Sequence, residues 1–359
     1  MSNHKRLGIL TSGGDAPGLN AAIRAFVRTA MNRFGMEVIG IEQGYRGLID
    51  NKYRLLTETD LSGILARGGT ILGASREKPF RYKAIRNAGE NSDVALIKKH
   101  YADLQLDCLA VLGGNGSQTT AYLLAQEGLH IIGIPKTIDN DIMHNEMSFG
   151  FHTALDIATD AVDRLHSTAA SHNRIMIVEI MGNKAGWLTL YAGIAGGCDV
   201  IIIPEIPYHI HSIAQHLRRR SENGKNFSII AVAEGARSID EKYLNKKDLK
   251  KVRSKMTASI GYRVADEIQA ETGCDIRVTV LGYLQRGGIP SGYDRILATR
   301  FGAAAAEYAA AGQYGIVTAL QRGRIRPIPL HAVAGKIKQV PENHPMIQSA
   351  RDIGICLGD

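Results

Sequence analysis

The 359 residues carry 43 Lys and Arg against 35 Asp and Glu, a net charge of +8, with 45% hydrophobic residues and 39 glycines. That length suits two domains with a substantial core. The basic residues are scattered, the longest run being Arg218-Arg219-Arg220, so no nucleic-acid stripe stands out and a small anionic substrate explains the charge equally well. Cys108, Cys198, Cys274 and Cys356 form no CxxC pair and suggest neither zinc nor redox chemistry. No signal-length apolar stretch follows the N-terminus, and no window approaches the ~18 apolar residues of a spanning helix. A soluble cytoplasmic protein, with neither nucleic acid nor membrane as partner, is expected.

In chain order, a strand-like run at Leu7–Thr11 leads through Ser12-Gly13-Gly14-Asp15-Ala16-Pro17-Gly18 into a helix-like stretch at Leu19–Phe34. A strand at Glu37–Ile41 precedes the glycine cluster Gly68 to Ser75, which ends in Arg76, with Arg81 five residues later. Cys108–Leu112 runs through Gly113-Gly114-Asn115-Gly116-Ser117 to a helix at Thr119–Gln126, and Ile131–Ile134 opens onto Pro135-Lys136-Thr137-Ile138-Asp139-Asn140-Asp141. A helix at Ala154–Thr168 and strands at Ile175–Ile180, Val200–Ile203, Ile229–Ala233 and Arg277–Leu281 follow, with a helix at Ser254–Thr272 after the charge-rich, exposed stretch Lys242 to Lys255. This alternation predicts an α/β fold of mostly parallel sheets with helices on both faces. Ligands then sit beyond the carboxyl ends of the strands, where the glycines and acids fall.

Strand, glycine turn and helix together aim backbone N–H groups at a phosphate. The loop at 12–18 has this form without the GxGxxG spacing of a dinucleotide fingerprint, and a plain turn is an equal reading of it alone. Gly116 offers a ligand phosphate close access to the backbone. Arg76 is a natural partner for a transferring phosphoryl group, because its fork matches the oxygens and stays charged. In an extended segment Asp139 and Asp141 would face the same way. One can take a proton from an attacking hydroxyl while the other helps hold a metal; the alternative is an acidic surface loop. Three glycine loops beside two acids make a phosphate site the expectation. No serine or cysteine nucleophile stands out, and Ser12-Gly13-Gly14 is not a GxSxG elbow.

With these segments in view, the chain resembles the 6-phosphofructokinase family from Leu7 to about Gly315. The resemblance rests on GGDAPGLNAAIR (13–24), GGTILGASR (68–76), GGNGS (113–117), PKTIDND (135–141), SHNRIMIVEIMG (171–182), AGGCDVIIIPE (195–205), VAEGAR (232–237) and LGYLQRGGIPSGYDR (281–295). In wording it is most similar to the mixed-substrate bacterial group, which holds both ATP- and pyrophosphate-using members. The resemblance implies two doubly wound three-layer α/β/α domains with the active site in the cleft between them. Residues 1–150 and 285–335 would form a larger donor-binding domain, and 151–284 and 336–359 a smaller sugar-phosphate domain.

It further implies that fructose 6-phosphate is phosphorylated at its 1-hydroxyl, with ATP and Mg2+, in glycolysis. Asp139 would be the general base, Thr137 would contact the phosphoryl group, Asp141 would lie by the magnesium, and Arg76 would stabilise the transferring group. Gly14, Tyr45, Glu77, Gly114, Asn115, Gly116 and Ser117 would line the donor site. Arg174 and Arg277 would reach the sugar phosphate across a subunit boundary of a homodimer or homotetramer. Ile138, Met181, Gly182, Asn183, Glu234, Tyr283, Leu284, Gln285 and Arg286 would complete the sugar-phosphate pocket.

Four positions depart from the common bacterial ATP enzyme. Asn115 replaces an aspartate near the metal, so that site leans more on Asp141, donor phosphates and water. Lys136 replaces a glycine; lysine there is typical of pyrophosphate users but also occurs in some ATP users, and it would either contact a phosphate or sit on the loop surface. Asn183 replaces an arginine. Tyr283 replaces a histidine, and a phenol still hydrogen-bonds. Gly116 points to ATP, since pyrophosphate-dependent relatives carry a blocking aspartate there. The family's effector site would map onto Arg24, Arg28, Asp199 and Lys225, with Glu58 and His166 at two positions that are otherwise basic, which predicts weak phosphoenolpyruvate inhibition. Two other readings share features of the chain: a GGDG-type NAD or lipid kinase, which lacks the sugar-phosphate segments, and a catalytically weak phosphate-binding subunit.

Overall fold

Strand ends, more than any single loop, organise this chain. The computed structural model describes residues 5–80, 92–241, 243–244, 248 and 259–359. Arg81 and all of the stretch from Lys242 to Lys255 except 243, 244 and 248 lie outside the described residues. The described strands are β1 (Arg6–Ser12), β2 (Glu37–Ile41), β3 (Tyr53–Leu55), β4 (Cys108–Gly113), β5 (Ile131–Pro135), β6 (Ile175–Ile180), β7 (Val200–Ile202), β8 (Ser228–Ala233), β9 (Ile276–Val280), β10 (Ile316–Gln321) and β11 (Arg324–Pro329). The helices used below are α1 (Leu19–Phe34), α2 (Tyr45–Ile49), α3 (Asp93–Asp103), α4 (Asn115–Gln126), α5 (Phe151–His172), α6 (Trp187–Ala195), α7 (Ile210–Glu222), α8 (Ile260–Thr272) and α9 (Gly292–Ala310).

Residues 1–153 with 286–338 form one compact unit, and 154–285 with 339–359 a second. The first contains a seven-stranded sheet in the order β11-β10-β5-β4-β1-β2-β3. Its central strands β2, β1, β4, β5 and β10 pair in parallel, while β3 and β11 close the edges antiparallel. Alternate residues of β1 feed opposite faces. Leu7 and Ile9 pack with Ile23 and Phe26 of α1 and with Leu297 and Phe301 of α9. Leu10 packs with Tyr45, Ile97 and Leu124 from α2, α3 and α4. Both faces are thus covered, which is why these strands read as near-continuous apolar runs.

The second unit holds a four-stranded parallel sheet in the order β7-β8-β6-β9. Ile213, Leu217, Val264 and Ile268 from α7 and α8 pack on Ile175, Ile177, Val200 and Ile230, while α6 contacts β7 and β8. All eight expected strands are present within a residue or two. β3, β10 and β11 are additions. Helix α4 begins at Asn115, four residues before the expected Thr119.

Candidate active site

The register of the first sheet sets the site. Ser12 pairs with Gly113 and Gly113 with Pro135, so β1, β4 and β5 end level and side by side. Three loops singled out in the sequence therefore emerge from one edge. The fourth segment is brought to the same edge by β1: Gly13 N–H donates to Ser75 O at 2.8 Å, extending a parallel bridge between Ser12 and Ser75. Buried Asn20 holds the same segment from below, its amide donating to Arg67 O and Gly68 O (3.0 and 3.3 Å) and its Oδ1 accepting from Ile71 N (2.8 Å). Buried Gln118 fastens the other two strands, its Nε2 donating to Gly113 O and Ile134 O (3.0 and 3.2 Å). Neither clamp is signalled by periodicity or by a phosphate-loop pattern, since their work is to satisfy loop and strand-end carbonyls.

Lys136 lies at the centre of these loops. Its backbone N–H donates to Gly113 O at 3.1 Å, and its buried Nζ donates to Gly14 O. Burial, followed by the charge of Arg286, pushes its pKa down to about 8, against the raising pull of Asp15, Asp139 and Asp141. Arg286 stands against Gly14, where a Cβ would collide with its Nη1. The resemblance assigned Arg286 to the sugar phosphate; the fold sets its guanidinium beside the β1 turn. The result is a cationic pair, Lys136 and Arg286, of which Lys136 feels three carboxylates, in a place where anions are stabilised by charge and by backbone amides together.

The two acids are not arranged as an extended strand would arrange them. The chain bends at Ile138–Asp139, and Asn140 takes a left-handed backbone with φ 50°. The same-face relation expected of positions i and i+2 therefore does not apply. Asn140 is held in this turn by its own side chain, which donates to Glu146 O (3.2 Å) and accepts from Ser148 N (3.1 Å); asparagine is among the residues that tolerate this conformation. Asp139 N–H donates to Thr137 Oγ1 at 3.0 Å. Asp141 is buried, and its carbonyl accepts from Lys338 N at 2.8 Å.

On the helix side, Gly114 caps α4 without a side chain, leaving its first amides and the positive end of the helix dipole toward the loops. Gly116 is exposed, and a Cβ there would meet nothing within 4 Å. Ser117 Oγ donates to Ser12 Oγ at 3.0 Å. Asn115 donates its side-chain amide to Lys336 O. Tyr45 is fully buried and its hydroxyl donates to Ser117 O at 3.1 Å, so it supports the loop rather than facing a ligand; burial raises its pKa far above the ordinary phenol value. Arg76 is exposed and Glu77 half-buried.

In the second unit the expected sugar-phosphate residues divide into two groups. Met181, Gly182, Asn183, Glu234, Tyr283, Leu284 and Gln285 follow the carboxyl ends of β6, β8 and β9, which are neighbours in the sheet. Glu234 N–H donates to Ile180 O (2.9 Å) and Gly235 N–H to Gly182 O (3.1 Å). Gln285 is fully buried and accepts from Met181 N at 3.3 Å, fastening the group from beneath, whereas Tyr283 and Leu284 are 73% and 70% exposed. Arg174 and Arg277 sit at the opposite end of the same strands, ~20 Å away for a six-residue strand. There both pair with Asp275, Arg174 Nε at 2.6 Å from Oδ2 and Arg277 Nη1 on Oδ1.

Among the described residues no group of three or more His, Cys, Asp or Glu is placed to hold a metal ion, and no helix is long and apolar enough to cross a membrane. At the mapped effector positions, Glu58 pairs with Arg28 at 3.0 Å, Asp199 with Arg220 at 2.7 Å, and His166 Nε2 lies 2.6 Å from Gly196 O.

The sequence model of the Phosphofructokinase family matches residues 6–309. A protein of Spirochaeta thermophila named ATP-dependent 6-phosphofructokinase is 58% identical over 358 residues, covering 99% of this chain and 98% of the relative. One of Propionibacterium freudenreichii with the same name is 49% identical, covering 99% of each. The structure of Pichia pastoris phosphofructokinase in the T-state superposes with a TM-score of 0.78 at 33% identity over 93% of this chain, which spans 36% of the yeast chain. A pyrophosphate-dependent phosphofructokinase of Nitrosospira multiformis shares the fold, with a TM-score of 0.81 at 19% identity over 99% of this chain and 93% of its own. A full-length match at this identity, on a sheet edge that gathers four of the family's segments, places this chain in the phosphofructokinase family.

Proposed function

We propose that this chain transfers the terminal phosphoryl group of ATP to the 1-hydroxyl of fructose 6-phosphate, giving fructose 1,6-bisphosphate and ADP in glycolysis. The observation that carries the reading is the level ending of β1, β4 and β5, which sets the glycine turns beside Lys136 and the 137–141 loop. The names of the full-length relatives support ATP as the donor. The open space at Gly116, at the positive end of α4, supports it independently.

In this reading Asp139 takes the proton of the 1-hydroxyl as its oxygen bonds to phosphorus and the bond to the leaving ADP oxygen breaks. Thr137, whose Oγ1 accepts the Asp139 N–H, fixes the loop that presents the base. Arg76 reaches the transferring group from the segment bridged to β1, and Lys136 and Arg286 hold charge beside the donor turn. One carboxylate, Asp141, with donor phosphates and water suits magnesium, which keeps several waters and takes only one or two protein carboxylates; Asn115 is a candidate second oxygen. Bound there, the ion would neutralise phosphate charge. Met181, Gly182, Asn183, Glu234 and Tyr283 form the sugar-phosphate group of the second unit. The placement of Arg174 and Arg277 at the other end of that sheet favours their service to a neighbouring copy, in a homodimer or homotetramer.

The test is product identity. With ATP and fructose 6-phosphate, 31P NMR should show a new phosphate ester on C1 as ADP forms. Phosphorylation of a nucleotide or lipid acceptor in its place, or binding of the sugar phosphate without turnover, would replace this reading with one of the two others.

A further inference from the structure

Beyond the 137–141 loop, and bonded to it, the first unit contains a cavity of about 520 Å3 lined by His144, Asn145, Glu146, Gln321, Arg322, Arg326 and Lys338. Its size falls in the range of small-molecule sites. Three of its side chains are cationic, His144 adds a fourth basic group, and Glu146 is its one carboxylate. That carboxylate is already engaged, since Glu146 Oε1 accepts the Arg322 N–H at 2.7 Å.

The backbone of this cavity is unusual as well. The hairpin joining β10 to β11 turns on Arg322 and Gly323, with φ of 50° and 74°. Such a turn favours Asn or Asp at its first position, because both central residues are left-handed. Arginine there accepts local strain, and the residue lines the cavity. His144 lines the same cavity and is left-handed too, with φ 59°. Two basic residues in strained positions around one space run from an observed outlier toward a functional reading. The walls are also built to stay in place. Leu320 N–H donates to Asn145 Oδ1 (2.8 Å), Glu146 N–H to Leu320 O (3.0 Å) and Gln321 Nε2 to His144 O (3.0 Å), while Lys338 Nζ donates to Asn145 O (2.6 Å) and Glu146 O (3.1 Å).

We propose that this cavity binds a compact anion carrying two or more phosphate groups, at a site separate from the catalytic loops. Arginine forks on a fixed hairpin match phosphate oxygens in pairs, and the two arginines leave a net positive field even with Glu146 present. The cavity also touches the catalytic loop through two lining residues, because Lys338 N–H donates to Asp141 O and Glu146 O accepts from Asn140 Nδ2. The inference stands on the cavity and not on the choice of donor.

Inorganic pyrophosphate is the probe, titrated by calorimetry into protein whose catalytic site is saturated with a non-hydrolysable ATP analogue and fructose 6-phosphate at fixed free magnesium. Binding is expected in the wild-type protein and should weaken about tenfold or more in R322N/R326Q, since both charge-assisted contacts are lost. Asparagine suits the left-handed turn, so the variant's melting temperature should hold or rise, and its ATP kinetics without pyrophosphate should be unchanged. If the double variant does not fold, R326Q alone, on an exposed edge-strand position, carries the comparison with the same expected sign. No pyrophosphate binding to the saturated wild type, or equal affinity in the variant, overturns the proposal.

Discussion

Arg286 Nη1 occupies the space into which a Cβ on Gly14 would project. The two residues lie 272 positions apart in sequence, and their contact fixes how closely a guanidinium approaches the first glycine turn. Gly14 has no left-handed backbone, so alanine is tolerated by the chain itself, and the atom it would meet is the far end of a long side chain rather than backbone. G14A should therefore fold with a melting temperature close to wild type while kcat/KM falls roughly 10²-fold, the scale of a 1 Å misplacement at a reacting centre. Steady-state kinetics beside a thermal melt separate the two effects. A variant that unfolds would show that Gly14 is there for packing, and a folded one with unaltered kinetics would show that the closeness of Arg286 to this turn does not govern the reaction.

Asp139→Asn keeps the shape of the loop and removes the proton acceptor. We expect kcat to drop by about 10²–10⁴-fold, with the KM for fructose 6-phosphate within a few-fold of wild type. A parallel collapse of substrate binding would instead make Asp139 a binding residue.

Gly116 gives opposite signs for stability and activity. A Cβ there meets nothing, and aspartate would replace a helical glycine in the first turn of α4, a gain of about 1 kcal/mol from propensity and the helix dipole. G116D should thus unfold at the same or a higher denaturant concentration. Its negative charge opposes donor phosphates, and like-charge juxtaposition costs several kcal/mol, so kcat/KM for ATP should fall by about two orders of magnitude or more. Retained ATP use in a folded G116D would remove the basis for reading this glycine as a donor determinant.

Lys136 ties stability to pH. Its pKa of about 8 in the folded protein lies below the ordinary lysine value of roughly 10.4, so between about pH 8 and 10 the unfolded chain binds more protons than the folded one. Stability then rises with pH in that window, and the penalty is fully present below about pH 8. Chemical unfolding of wild type at pH 7.5 and 9.5, compared with K136M, should show about 2 kcal/mol of pH-dependent gain that the variant lacks. Identical pH dependence in the two proteins would contradict a buried, destabilised ammonium.

The Arg28–Glu58 ion pair, at 3.0 Å, engages a cation at the position where the family's effector site would need it. Phosphoenolpyruvate should leave the fructose 6-phosphate saturation curve nearly unchanged, measured at fixed ATP. A sigmoidal curve strongly shifted by phosphoenolpyruvate would show that the pair opens readily.

What was legible in the sequence follows from burial. Runs such as Ile131–Ile134 and Ile175–Ile180 stand out because strands covered on both faces carry no alternation to confuse them. β3 carries no sequence signal because it is a three-residue edge strand with two exposed side chains. The β10–β11 hairpin was missed because Arg322-Gly323 lacks the Asn-Gly signal and because Pro327 and Pro329 argue against a strand anywhere but an edge. Asn115 and Gly116 hid the first turn of α4, both being poor helix formers. The acids at 139 and 141 are legible by type and spacing, but an extended pairing of the two fails at Asn140, whose left-handed turn only the folded chain shows. Asn20 and Gln118 carry no sequence signal, because their partners are backbone groups brought to them only by the fold.

The measurement closest to the central claim is a steady-state comparison of phosphoryl donors on fructose 6-phosphate, with ATP and with pyrophosphate under the same magnesium concentration. The open space at Gly116 and the names of the full-length relatives predict a far higher kcat/KM with ATP. A far higher kcat/KM with pyrophosphate would contradict it, and would make Lys136 rather than Gly116 the residue that selects the donor.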